Sequence, residues 1–154
     1  MFNNIYKNKK VLITGHTGFK GSWLCSWLIK LGAKVIGVSN CIPTSPSMYE
    51  ELGLSSKIND LRYDVRDLLS LKKIINDTKP DFIFHLAAQA IVSKSYSDPI
   101  ETITTNVIGS MNILESLRDY NDPCRVIIIT SDKCYDNVEW IWGYKESDHM
   151  GGKD

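Results

Sequence analysis

Short apolar runs alternate along the chain with segments whose apolar residues recur every three or four positions. Lys10–Thr14 reads as a first strand. Over residues 20–31, Trp23, Leu24, Trp27, Leu28 and Leu31 fall on one side of a helix, and Gly32 ends it. Lys34–Val38 predicts a second strand. A loop with Pro43 and Pro46 follows, then a short helix over residues 47–52. A third strand is expected over residues 60–65. A helix follows over Leu68–Thr78, with Leu68, Leu71, Ile74 and Ile75 inward. Residues 82–86 are apolar on both faces except for His85, as suits a buried parallel strand. Asp98 before Pro99 places a cap and a first-turn proline at the start of a long helix. Its inner positions are expected at Ile103, Val107, Met111, Leu114 and Leu117. Residues 125–130 predict a fifth strand, and the stretch from Ser131 onward is irregular and rich in aromatic residues. Repeated βα units with buried strands imply an α/β fold with a doubly wound parallel sheet. The loop-like residues 151–154 predict a sheet left incomplete at its C-terminal side.

The 154 residues, 43% hydrophobic and 23% charged, suffice for one domain with a core. A formal net charge of +0 argues against an electrostatic grip on nucleic acid or an anionic membrane. Lys7, Lys9 and Lys10 read as solvated surface. No apolar run is long enough to cross a membrane and no signal peptide precedes the first strand, so a cytoplasmic protein is expected. Cys25, Cys41, Cys124 and Cys134 lack paired metal-ligand spacing, so no metal site is expected.

The chemistry concentrates in VLITGHTGFKGSWL, where glycines at 15, 18 and 21 stand between a strand and a helix. A first glycine there allows a tight turn, a second lets backbone approach a pyrophosphate, and a third lets the helix pack close to the strand. Free N–H groups at the helix start then face the phosphates. Residues 15–21 (Gly15, His16, Thr17, Gly18, Phe19, Lys20, Gly21) are therefore the candidate dinucleotide loop, with His16 and Lys20 adding possible positive charge. After the second strand the usual carboxylate for ribose hydroxyls is replaced by Ser39 and Asn40, which leaves NAD and NADP open. Asp64 and Val65 could hold an adenine, and Asp64 reads equally well as a strand-end cap. Leu86, Ala87, Ala88 and Gln89 permit close approach of a ligand at the carboxyl edge of the sheet. His16 and His85 show no partner in the sequence and read as satisfied core histidines. Asn106 lies mid-helix, where its side chain is expected to bond to backbone or water, or to mark a kink. Trp140, Trp142 and Tyr144 read as packing rather than as a sugar platform, and Cys134 and Tyr135 as packing beside the turn after the fifth strand.

Taken together, the Gly-rich loop, HLAAQ, TTNVIGSMNILE and TSDKCYDN resemble the extended short-chain dehydrogenase/reductase family, whose G-x-x-G-x-x-G spacing Gly15, Gly18 and Gly21 match. The likeness narrows to its NDP-sugar 4,6-dehydratases on TGHTGFKGSWL, TSDKCYDNVEWIWGYKESD and MGG. The resemblance spans nearly the whole chain and about the N-terminal half of a typical member. It implies a Rossmann domain over residues 1–154, partial and without a substrate domain. It also implies NAD as cofactor, a nucleotide-sugar substrate, CDP-glucose, and an assembly of full-length copies through the long helix. The implied reaction is a redox-neutral elimination of water across C5–C6 of the hexose. Such a reaction needs an acid at the C6 hydroxyl, a base at C5 and a base at the C4 hydroxyl. Ser131 matches the residue that hydrogen-bonds the C4 oxygen, and Asp132 matches the acid at C6. Lys133 stands where relatives carry a Glu, and serves as the C5 base only if enough of it is neutral. By residue chemistry alone Ser-Asp-Lys after a strand is ordinarily turn and surface. The family's Asn matching Asn106 supports the active site. The family's Tyr and Lys, four apart on a helix, have no counterpart in a suitable place, so this chain alone is expected to turn over no substrate and, lacking the following helix, to expose an apolar strip. Other nucleotide-sugar dehydratases or epimerases, and a degenerate dinucleotide-binding module, are the alternatives.

Overall fold

A computed structural model describes residues 2–151. Five parallel strands form one sheet in the order β3-β2-β1-β4-β5. They are β1 (Lys10–Thr14), β2 (Lys34–Val38), β3 (Asn59–Leu61), β4 (Phe82–His85) and β5 (Arg125–Ile128). The helices are α1 (Phe19–Lys30), α2 (Met48–Glu51), α3 (Leu68–Thr78), α4 (Val92–Ser97), α5 (Pro99–Ile103) and α6 (Gly109–Ser116). A π turn over Thr104–Ile108 joins α5 to α6 as one long helix. Register aligns Thr14 with Val38 on one side and with His85 on the other. The carboxyl ends of β1, β2 and β4 therefore finish level, where ligands sit in sheets of this kind.

Alternation along β1 splits the core. Val11 and Ile13 pack with Cys25, Leu28, Val35, Tyr49 and Leu54 on the α1 side. Leu12 packs with Val38, Leu71, Ile74, Ile75, Ile83 and Ile113 on the α3 and α6 side. Side-chain caps start α3 and α5: Asp67 accepts from Ser70 N–H at 3.1 Å, and Asp98 accepts from Glu101 N–H at 3.0 Å with Pro99 in the first turn.

Several expectations change. β3 stops at Leu61 rather than at 65, because the chain turns at once: Asp67 N–H reaches the Asp64 carbonyl at 3.0 Å. β4 ends one residue short of 86 and β5 two short of 130. In α1 the indoles of Trp23 and Trp27 stand outward, and Gly21, Ser22, Cys25 and Leu28 face the sheet. The helix crosses so close to the Gly-rich turn that a Cβ on Gly21 would lie 2.1 Å from the Gly15 carbonyl oxygen, which leaves no room for bulk on that face. The long helix likewise presents Ile103, Val107, Met111 and Leu114 to solvent, and Gly109, Asn112, Ile113 and Ser116 to the core. Its inner face is polar because the polar groups are satisfied there. Asn112 donates to the carbonyls of Val65 (3.0 Å) and Arg66 (2.9 Å), and Ser116 donates to the carbonyl of Asn112 at 2.6 Å. Leu117, by contrast, packs on the core as expected. Among the described residues no helix is long and apolar enough to cross a membrane, and no group of side chains could hold a metal ion.

Candidate functional site

The turn after β1 opens with Gly15 at φ +73, a left-handed conformation that other residues resist. A Cβ at Gly15 would lie 2.7 Å from the Ala87 nitrogen, so the turn runs against the segment leaving β4. Gly18 caps α1 with no side-chain hydrogen bond, and a Cβ there would meet only the Gly15 carbonyl oxygen, at 3.4 Å. The first N–H groups of α1 thus open from a bare backbone cradle. Thr17 ties the turn to the β2 loop through a 2.7 Å bond to the Cys41 carbonyl, and Ser22 ties it to α1 through a 3.0 Å bond to the His16 carbonyl.

A cleft of about 160 Å³ lies along these carboxyl ends. Gly15, Thr17, Gly18, Ser39, Asn40, Asp64, Val65, Leu86, Ala87 and Ala88, all candidates from the sequence, line it. Cys41, Pro43, Tyr63 and Thr105 line it too, and nothing in their sequence context set them apart. Asp64 is the charged side chain of this lining, and it is fully engaged. Its oxygens accept from Arg66 N–H at 2.9 Å, from the Arg66 guanidinium at 2.9 and 2.6 Å, and from the Asn40 amide at 3.2 Å. The Arg66 hydrogen bonds hold its carboxyl below the usual range, against the effect of burial. Asp64 sits in the turn past β3, so it acts as an Asx-type cap that also tethers Asn40.

The remaining loop residues part company. His16 lies wholly buried beneath the loop, its Nε2–H donating to Asp60 at 2.8 Å, and burial lowers its pKa more than Asp60 raises it. Its side chain therefore supplies no positive charge to the phosphate loop, contrary to expectation. The ring fills the space of the side chain Gly37 lacks, since a Cβ on Gly37 would lie 2.5 Å from it. Tyr49 and Arg62 also bond to Asp60, and Arg62 covers the Tyr49 ring at 5.1 Å. Gly21 is buried on the inner face of α1. Phe19 and Lys20 instead line a separate apolar hollow of about 440 Å³ on the outer face of α1, with Trp23 and Trp27.

His85, which shows no partner in the sequence, has two. Its Nδ1 lies 2.6 Å from Thr14 Oγ1 and its Nε2 3.1 Å from Ser110 Oγ, and burial pushes its pKa down to about 4. Thr14 Oγ1 also accepts from the Leu86 and Ala87 N–H groups at 3.2 Å each. Asn106 stands in the π turn and grips Gln89 twice, Oδ1 accepting from its N–H at 2.8 Å and Nδ2 donating to its carbonyl at 3.0 Å. Asn106 therefore bonds to backbone, as one of its readings expected, and does so from a π turn of the helix.

Ser131, Asp132 and Lys133 follow β5 at the same edge of the sheet. Ser131 Oγ accepts from Lys133 N–H at 3.0 Å, Lys133 is exposed, and the side chain of Asp132 lies outside the described residues. Tyr144 stacks on Tyr135 at 5.2 Å and approaches Trp140 at 5.8 Å, so those rings pack on one another, while Trp142 is exposed. Cys134 is exposed as well, rather than packed.

The family model described as GDP-mannose 4,6 dehydratase matches residues 12–152. The CDP-glucose 4,6-dehydratase of Salmonella typhimurium is 47% identical over 151 residues, which cover 98% of this chain and 42% of that protein. The crystal structure of the Thermus thermophilus UDP-glucose 4-epimerase in complex with NAD superposes with a TM-score of 0.79 at 27% identity, over 94% of this chain and 45% of the epimerase. The Bacillus cereus UDP-glucuronic acid 4-epimerase, in complex with UDP-glucuronic acid and NAD, gives 0.77 at 28% identity, over 93% and 46%. This chain thus spans less than half the length of each.

Proposed function

The chain belongs to the GDP-mannose 4,6 dehydratase family, and from that premise we propose that it is the NAD-binding part of a nucleotide-sugar 4,6-dehydratase acting on CDP-glucose. The observation that carries this reading is the cradle itself: the bare Gly15–Gly18 turn, the end of β2 and the segment after β4 meet in one cleft. The N–H groups at the start of α1 hold the pyrophosphate, Ser39 and Asn40 the adenosine ribose, and Val65 the adenine face. The likeness to epimerase structures solved with NAD supports NAD as the dinucleotide. When bound, NAD supplies a hydride acceptor that is restored at the end of the cycle.

The chain's own residues provide the rest. Leu86, Ala87 and Ala88 keep the wall beyond β4 small, and Gln89 with Asn106 fixes its path. Ser131 donates a hydrogen bond to the hexose C4 oxygen. Asp132 protonates the departing C6 hydroxyl. Lys133 is the base proposed for the C5 proton. The identity to the Salmonella dehydratase supports CDP-glucose, and the likeness to the epimerase structures supports a second reading, a 4-epimerase of the same fold. A protein extended to the length of the Salmonella relative separates them. Supplied with CDP-glucose, dTDP-glucose, GDP-mannose and UDP-glucose, it should release water from CDP-glucose, read by mass spectrometry. Epimerised UDP-glucose with no loss of water from any of the four would overturn the dehydratase reading. Residues 1–154 are proposed as one partial dinucleotide-binding domain, and the exposed strip of the long helix as its contact with a second copy.

A further inference from the structure

We propose that His85 and Ser110 are positioning residues for the dinucleotide cleft. One ordered line of hydrogen bonds, fixed by a single imidazole tautomer, joins the cleft wall at Leu86 and Ala87 to the π turn that holds Asn106 on Gln89. This rests on the cofactor reading above and goes further by giving the buried imidazole a task in it.

The direction of every bond in the line is forced. The Ser110 hydroxyl donates to the Asn106 carbonyl at 2.6 Å, so its oxygen is left to accept. His85 Nε2, 3.1 Å away, must therefore carry the proton. Nδ1 is then bare and accepts the Thr14 hydroxyl proton at 2.6 Å. With its own proton committed, Thr14 Oγ1 accepts the Ala87 N–H and shares the Leu86 N–H with the Thr14 carbonyl, 3.1 Å from it. The opposite tautomer would set a bare Nε2 against a hydroxyl whose proton is already committed, and would leave the Thr14 proton without its acceptor. A charged ring would present a proton at both ends, and burial disfavours it.

The line ends where the cleft is shaped. Leu86 and Ala87 line it, as does Thr105 of the π turn. At the other end the Ser110 bond closes on Asn106, whose carboxamide clasps Gln89 by both backbone groups. Three of the first four residues leaving β4 are thus held by one network that crosses from β1 through β4 to the long helix. An apolar residue at position 85 would fill the same space but hold neither end.

Ser116 provides an internal control, because it makes the same bond to the carbonyl four residues back, at 2.6 Å, on the same helix but away from the cleft. In this chain, Ser110→Ala should weaken NAD binding about 10-fold and speed hydrogen exchange of the Gln89 amide by a similar factor. Ser110→Thr, which keeps the hydroxyl, should restore both, and Ser116→Ala should change neither. The ¹⁵N resonances of His85 in the unaltered chain should report the Nε2–H tautomer at neutral pH. Unchanged affinity and unchanged Gln89 exchange in Ser110→Ala would overturn the proposal, as would an equal loss in Ser116→Ala or an Nδ1–H tautomer. Should the unaltered chain bind no NAD, the cofactor reading fails on its own, and Gln89 exchange in the same variants still decides whether the line holds the wall.

Discussion

The two buried histidines show how far a residue's task depends on what folding brings beside it. Neither His16 nor His85 has a partner nearby in sequence; Asp60 lies 44 positions from the first and Thr14 71 from the second. Their burial is legible from apolar neighbours, their bonding is not. Thr14 could have been noticed as the polar end of an apolar strand. Holding a buried imidazole neutral has a cost at low pH. His85 is pushed from 6.5 to about 4, so between those values an unfolded chain binds a proton that the folded chain refuses. The stability contributed by this group is complete above about pH 6.5 and is lost as the pH falls toward 4, on the order of 3 kcal/mol for a shift of that size. His16 acts in the same sense. Asp60, Asp64 and Asp81, whose pKa values are lowered, withdraw their contributions only as the pH falls through the carboxylate range. Urea midpoints should therefore decline from pH 7 to pH 4, and His85→Asn should flatten part of that decline. A midpoint constant across the window would contradict a neutral buried His85.

Among the elements, the strands and α3 are legible because burial and periodicity agree there. The long helix is not, because its apolar stripe and its buried face are different faces. Periodicity shows that Ile103, Val107, Met111 and Leu114 share a side, but it cannot show what that side meets. Inside the molecule, Gly109 fits against Val65 and Asn112 bonds to two carbonyls, so small and polar residues take the core. The stripe is left 51–57% exposed. Apolar surface gathered in one strip favours association. The chain should sediment as a dimer or larger at micromolar concentration, and Met111→Lys with Leu114→Lys should shift it to monomer with little change in thermal stability. A monomer without those substitutions would remove the stripe as a contact between copies. In α1, likewise, periodicity places Trp23 and Trp27 on one side with Leu24, Leu28 and Leu31, while the close crossing over the Gly-rich turn reserves the buried face for Gly21, Ser22, Cys25 and Leu28.

For the whole molecule, three segments far apart in sequence meet because the strand order places β1 between β2 and β4, with their carboxyl ends level. The Gly spacing and the small residues after β4 made most of that cleft readable in advance, since each answers a backbone requirement local to its own turn. Cys41, Pro43, Tyr63 and Thr105 were not readable, since they reach the cleft only through the paths of their loops. Titration of NAD into this chain and into its Gly18→Ala variant tests the cradle most directly. Gly18 has an ordinary φ of −71 and space for a Cβ, so the substitution should leave the fold and its melting temperature nearly unchanged. The added methyl group would stand where backbone must approach a pyrophosphate. The unaltered chain should bind NAD with a Kd below about 1 mM, roughly −4 kcal/mol or better, and Gly18→Ala should weaken it by about 10-fold or more. Equal affinity in the two proteins, or no binding by the unaltered chain, would contradict a dinucleotide held on this loop.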